Sequence, residues 1–227
     1  MKALVLFSGG IDSTTALGLA IQKYGKDQVI ALSVSYGQKH DKEIKAAIAV
    51  AQYYGVEHLF LDLSKIFQYS NCSLLQQSTE DIPEESYAEQ ILKTNGDKPV
   101  STYVPFRNGL FLSSAASIAL SKDCEVIYYG AHADDSAGFA YPDCSPVFNQ
   151  AMNEAIWEGS GHQLKIEAPF VNMSKAEVVR IGLELKVPYE LTWSCYEGGE
   201  KPCGKCGTCI DRAAAFQANN VEDPALR

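Results

Sequence analysis

Residues 5–17 read VLFSGGIDSTTAL, and the residue types in this stretch suit the handling of a phosphate group. An apolar run ends in Ser8-Gly9-Gly10, Asp12 follows two places on, and Ser13 and Thr14 open what reads as a helix. Gly9 and Gly10 can adopt backbone angles denied to other residues, and without side chains they let an anion approach the main chain. A helix starting just afterwards directs unpaired N–H groups and the positive end of its dipole at the same point. Ser8, Ser13 and Thr14 add hydroxyl donors. The stretch matches neither G-x-x-x-x-G-K-S/T nor G-x-G-x-x-G. The plain alternative is a tight strand-to-helix turn capped by Asp12 or Ser13.

A second cluster lies late in the sequence. SCYEGGEKPCGKCGTC spaces Cys195, Cys203, Cys206 and Cys209 as C-x7-C-x2-C-x2-C. Thiolates so spaced can fold back on one tetrahedral ion, with Gly198, Gly199, Gly204 and Gly207 permitting the bends. Four thiolates complete the coordination usual for structural zinc and leave no position for a bound water. The expectation is one structural Zn2+ per chain, and an iron–sulfur cluster is the alternative occupant. Of the other cysteines, Cys124 reads as a small core residue and Cys72 has no base near it in sequence. Cys144 falls in a stretch taken up below.

The elements that must position these groups follow a βαβ rhythm. KALVLF (2–7) reads as a buried strand, a helix runs from Ser13 to about Tyr24, and VIALSVSY (29–36) is the second strand. Asp41 stands where it can cap the next helix, in which Ile44, Ala47, Ile48 and Ala51 repeat at helical spacing. Gly55 ends it, and VEHLFLDL (56–63) is a third strand. Residues 64–104 carry Pro83 and Pro99 without clear periodicity, and read as a long insertion or flap. A helix is expected from about Asn108 to Ala119, strands at 125–130 and 163–169, and a helix from Ser145-Pro146 to about Glu158. SKAE (174–177) is a capping box. The expected fold is α/β, a parallel twisted sheet with helices on both faces. Residues 1–191 would form this domain and 192–227 a small cysteine-rich appendix.

The chain has 227 residues, of which 46% are hydrophobic and 21% charged, as a soluble domain with a sizeable core requires. Its formal net charge of −9 disfavours a protein that grips a long phosphate backbone, so no direct nucleic-acid partner is expected. No apolar run approaches the roughly 20 residues of a membrane span. MKALVLF is too short for a signal peptide. With seven cysteines, an odd number, a disulfide framework is not expected and the chain reads as cytoplasmic.

The complete SGGIDS after the first strand resembles the PP-loop signature S-G-G-x-D-S of the N-type ATP pyrophosphatase superfamily. Three further stretches, SVSYGQKH (33–40), VPFRNGLFLSSAASIA (104–119) and GAHADDSAGFAYPDCS (130–145), narrow the likeness. Together with the late cysteines, and in the expected order, they resemble the 7-cyano-7-deazaguanine synthase family of queuosine precursor biosynthesis. The resemblance implies an adenine nucleotide alpha hydrolase-like fold with a zinc-binding appendix. It implies a ligase that forms a C–N bond, converting 7-carboxy-7-deazaguanine, ammonia and ATP to the nitrile through adenylated carboxylate and amide intermediates. It also implies a homodimer, and Mg2+ carried with ATP.

Carried onto this sequence, the resemblance places ATP against Phe7, Ser8, Gly9, Gly10, Ile11, Asp12, Ser13, Thr14, Thr15, Ala16 and Leu17. Asp12, Ser13, Arg107 and Lys175 are the candidate catalytic residues. Tyr36, Arg107, Asn108, Asp135, Tyr141 and Asp143 are candidates for the substrate. Each also has a plainer reading. Arg107 is either a bidentate anion ligand or half of a surface ion pair. Asn108 is a contact or a helix cap, Asp143 a contact or a turn residue, Lys175 a phosphate ligand or an exposed lysine. Tyr36 stacks on a ring or ends its strand, and His40 and His132 are proton carriers or structural. Two departures from the family's usual pattern lie close by: Phe106 stands where glycine is common, and SAGFAYPDC carries extra residues before Tyr141. The alternatives are a PP-loop enzyme adenylating tRNA and a nucleotide-binding zinc protein without turnover.

Overall fold

In the computed structural model, which describes residues 1–93 and 98–226, all strand pairings within the sheet are parallel. The strands are β1 (Ala3–Leu6), β2 (Val29–Ser35), β3 (Glu57–Asp62), β4 (Val126–Tyr128) and β5 (Lys165–Glu167), in the order β3-β2-β1-β4-β5. Alternation along the strands divides the core in two. Leu4, Leu6, Ile30, Leu32 and Ile127 face the apolar sides of α5 (Arg107–Ser121) and α7 (Pro146–Gly159). Ala3, Val5, Val29 and Ala31 face α1 (Ile11–Tyr24), α2 (Lys42–Tyr54) and α8 (Lys175–Glu184). Helices therefore cover both faces, as a buried parallel sheet requires. The chain moves from β1 outward through β2 to β3, then returns to place β4 on the other side of β1. The crevice beyond β1 and β4 is the topological switch point, where ligands of open α/β sheets bind.

The predicted caps are met unevenly. Ser145 accepts the Phe148 N–H at 3.1 Å, and Ser174 and Glu177 form the full capping box. Asp41 does not cap: its carboxylate pairs with Lys45 at 2.8 Å, and His40 Nδ1 accepts the Lys42 N–H instead. Helix α1 begins at Ile11 rather than Ser13, because the Gly10 carbonyl already accepts the Thr14 N–H at 3.0 Å. Asn108 is likewise inside α5 rather than its cap; Phe106 holds that place, in the left-handed conformation at φ 54°, ψ 27°. Glycine is the residue that takes this conformation without strain. Here the phenyl ring lies over Gly109, where any Cβ would collide with it.

The 64–104 insertion packs down rather than swinging free. It contains α3 (Ser64–Phe67) and α4 (Tyr87–Lys93), buries Leu74, Leu75 and Val104, and bridges Leu75 to Gln38. Its residues 94–97 lie outside the described residues. The extra residues before Tyr141 follow α6 (Ala133–Ser136) and turn through Gly138 (φ 56°) and Phe139 (φ 59°). A Cβ on Gly138 would stand 2.6 Å from the Ile91 side chain, so the added turn closes on α4 of the insertion. The cysteine-rich segment packs onto the domain through a smaller apolar cluster. Ala215 and Phe216 of α9 (Gly207–Ala218) pack with Ile11, Val179 and Tyr189, and buried Arg212 pairs with Asp223 at 2.6 Å.

Candidate active site

At the switch point lies a cleft of about 230 Å3. One end is the loop between β1 and α1. Phe7, Ser8, Gly10, Ile11, Asp12 and Ser13 line it. Ser8 and Ser13 join hydroxyls at 3.0 Å, and the Gly10 N–H points to Ser8 Oγ at 3.3 Å, so the loop is closed on itself. The N–H groups of α1's first turn have no carbonyl one turn back and open onto this end. Gly130, after β4, backs directly against Asp12 and Ser13, where a Cβ would meet main-chain atoms at 3.2 Å.

Five members of the expected nucleotide set stand elsewhere. Gly9 turns away at φ 81° and presses on α2: a Cβ there would lie 2.5 Å from Ala47 N and 2.7 Å from the Glu43 carbonyl. Thr14, Thr15, Ala16 and Leu17 are fully buried, because they are one turn into α1 and face its packing partners. Thr15 Oγ1, for example, bonds the Tyr189 hydroxyl at 2.7 Å. Gly9→Ala is expected to destabilise the fold by about 2 kcal/mol or more, since left-handed strain and a backbone clash coincide. Urea denaturation checks this; an unchanged midpoint would contradict the packing described.

Lys175, at the start of α8, is not exposed. Its Nζ lies 3.0 Å from Asp12 Oδ2 and 3.2 Å from His132 Nε2. His132 Nε2 is 3.3 Å from Asp135 Oδ2, while Asp134 Oδ2 accepts the Lys175 N–H at 2.8 Å. Burial alone would raise the Asp12 carboxyl, but the Lys175 charge, His132 and the hydrogen bond from Lys175 outweigh it and hold it below its ordinary value. Burial works against the Lys175 ammonium too, yet Asp12 and Asp135 hold its pKa above the usual lysine range. The stability Asp12 contributes is thus complete above its ordinary 3.8 and disappears as pH falls through the lower folded value. Lys175 contributes below its ordinary 10.5, and that share is lost as pH rises through its raised folded value. Wild type should lose stability more steeply than Asp12→Asn as pH falls below about 4, read as urea midpoints; parallel curves would refute the pairing. Asp12 Oδ1, by contrast, is buried with no partner.

The other end of the cleft is aromatic. Arg107 lies over the Tyr36 ring at 5.1 Å and the Phe111 ring at 6.0 Å, and forms no ion pair among the described residues. Tyr141 and Asn108 line the same end, with Thr102 Oγ1 at 2.5 Å from the Tyr141 hydroxyl. Tyr87 and Tyr196 join hydroxyls at 2.7 Å beside them. Asp135 also reaches the cleft, but Asp143 does not. The Asp143 carboxylate sits behind the wall, Oδ2 accepting the Asn108 N–H at 2.8 Å, and so anchors the start of α5. Burial raises its pKa, against the opposing pull of Asn108 and Arg107. His40 stands edge-on to Trp193 at 6.5 Å, away from the cleft wall.

Cys195, Cys203, Cys206 and Cys209 bring their sulfurs within 4.8 Å of one another, a set that could hold a metal ion. Hydrogen bonds from the Cys206 and Cys209 thiols, joined by the Cys203 and Glu197 N–H groups, hold the Cys195 thiol far below its ordinary pKa. The quartet is tied to the loop: Trp193 donates its N–H to the Gly9 carbonyl at 3.0 Å, and its indole N–H to the Cys195 carbonyl at 2.8 Å.

Sequence reasoning missed Glu43, Tyr87, Tyr129, Trp193 and Tyr196, all of which line the cleft. Glu43 carried a signal, an acidic residue in the first turn of the helix after β2. Tyr87 carried none, since the insertion lacks periodicity.

Two solved structures share the fold. NMN synthetase from Francisella tularensis is 16% identical at TM-score 0.53, covering 97% of this chain and 78% of its own. A U34-tRNA thiolase from Methanococcus maripaludis, solved with its 4Fe-4S cluster, is 16% identical at TM-score 0.52, covering 97% and 64%. Curated relatives are far more alike. The 7-cyano-7-deazaguanine synthase of Archaeoglobus fulgidus is 44% identical over 227 residues, 100% of this chain and 90% of its own. That of Pseudoalteromonas atlantica is 42% identical over 98% of this chain and 97% of its own. The family described as Queuosine biosynthesis protein QueC matches residues 2–220, and to that family this chain belongs.

Proposed function

We propose that this chain is a 7-cyano-7-deazaguanine synthase that uses ATP and ammonia to convert the 7-carboxy base to the nitrile. The observation that supports this most is one cleft joining a phosphate-suited loop to an aromatic chamber with a cation in it, within a chain of the family named above. A carboxylate resists attack by ammonia because it is anionic and would have to expel oxide. Transfer of AMP to its oxygen makes a good electrophile, ammonia then gives the amide, and a second adenylation of the amide oxygen allows loss of AMP to the nitrile. No protein nucleophile is required, so the site acts by positioning and electrostatics.

In this reading Ser8, Gly10, Ser13 and the first turn of α1 cradle the departing pyrophosphate. Lys175 faces the charge that grows on it and is aimed by Asp12 and His132. Arg107 meets the substrate carboxylate, and Tyr36 and Tyr141 flank the flat bicycle, whose polar edge meets Asp135. Mg2+ arriving with ATP would find the unpartnered Asp12 Oδ1, and when bound it neutralises charge across the phosphate oxygens. The quartet's chemistry suits one structural Zn2+. The chain is taken to work in the cytoplasm as a homodimer without direct nucleic-acid contact; no helix among the described residues is long and apolar enough to cross a membrane.

Purified protein incubated with ATP, Mg2+, ammonium and 7-carboxy-7-deazaguanine should yield AMP, pyrophosphate and the nitrile. AMP release only with tRNA would favour a tRNA-adenylating enzyme, and no AMP under either condition a nucleotide-binding zinc protein.

A further inference from the structure

Among the described residues, three carboxylates line the cleft, and two are already engaged. Asp12 pairs with Lys175 at 3.0 Å and Asp135 with His132 at 3.3 Å. Glu43 is the third, and among the described residues no hydrogen bond or ion pair reaches its carboxylate. It stands in the first turn of α2, where its own carbonyl abuts Gly9. The element that carries Glu43 is thus braced against the phosphate loop. Burial pushes its carboxyl up to about 7, with Arg107 pulling the other way. Glu43 is half-buried, and its carboxylate at the wall of the cleft offers free acceptor oxygens to a ligand that brings positive charge or N–H donors.

We propose that Glu43 is the receptor for the ammonium ion, binding it beside the adenylated carboxylate and taking a proton from it. This rests on the reading of the chain as the nitrile-forming synthase. Ammonia in neutral water is almost all ammonium, which has no lone pair with which to attack a carbonyl. Ammonium passes one proton to the Glu43 carboxylate, and the freed lone pair forms the C–N bond at the acyl carbon. As the tetrahedral adduct collapses, the bond from that carbon to the AMP oxygen breaks and its electron pair leaves with AMP. The second surplus proton of nitrogen goes to the departing phosphate, and Glu43 returns its proton to solvent. The amide-to-nitrile round consumes no ammonium, so it makes no call on this receptor.

That difference supplies the test. Glu43→Gln and wild type are compared with the 7-carboxy base at varied ammonium, and separately with the 7-amido base and ATP without ammonium. The variant should raise the KM for ammonium by about tenfold or more while converting the amide within about threefold of wild type. An unchanged ammonium KM overturns the assignment. So does a KM increase for the two bases without one for ammonium, which would make Glu43 a reader of the base edge. Equal loss in both reactions overturns it as well, since that is the signature of a general fault in the site. Failure of wild type itself to convert either base would instead remove the reading beneath it.

Discussion

Lys175→Met is expected to lower kcat/KM for AMP formation by about a thousandfold, roughly 4 kcal/mol of lost transition-state stabilisation, with secondary structure retained. In the proposed adenylation, negative charge moves onto pyrophosphate as the bond to the α-phosphorus breaks. A buried ammonium stabilises that charge far more than an exposed one, because the surroundings are poorly polarisable. The structure places this ammonium 3.0 Å from Asp12 and 3.2 Å from His132, at the wall of the cleft that holds the loop. Methionine keeps the length and apolar stem but supplies no charge. The loss should therefore fall more on kcat than on the KM for ATP, because the interaction strengthens as the reaction proceeds. Quenched-flow or steady-state measurement of AMP, beside a melting curve, decides the matter. A variant that keeps a tenth of the activity would move Lys175 out of the chemistry.

What the sequence disclosed about this arrangement depended on how local the cause was. SGGIDS, the Ser145-Pro146 start and the Ser174 capping box owe their form to neighbours a few residues away, and each lies where its pattern suggested. Asp41 misled because Lys45, one turn on, competes for its carboxylate. Asp143 misled for a longer-range reason. Its partner is a main-chain N–H of residue 108, and only the folded chain shows that this bond turns the carboxylate behind the cleft wall. The burial of Thr14 through Leu17 was equally hidden: once α1 starts at Ile11, these residues lie one turn in, against its packing partners. Tyr87 shows the remaining gap, since an insertion without periodicity gives no sign that α4 will bring a tyrosine to the hydroxyl of Tyr196.

Removing one sulfur from the late quartet should be felt as far away as the loop between β1 and α1. Cys206→Ser is expected to lower bound metal from about one per chain to a small fraction, and stability by about 3 kcal/mol, or roughly 10 °C in Tm. Cys206 is buried and stands at the start of α9, and its carbonyl accepts the Cys209 N–H at 2.9 Å. Serine offers a harder, poorly ionised oxygen where a thiolate is needed, so three ligands remain. The loosened segment contains Cys195, two residues beyond the Trp193 N–H that holds the Gly9 carbonyl. AMP formation should then fall along with metal content, although no cysteine of the quartet lines the cleft. Elemental analysis identifies the occupant. Zinc near one equivalent agrees with four sulfurs and no open position, whereas iron with acid-labile sulfide would assign the quartet to a cluster. Full zinc occupancy in Cys206→Ser would mean that the ion is held by other groups. Lost zinc with undiminished AMP formation would mean that the Trp193–Gly9 link stands without it.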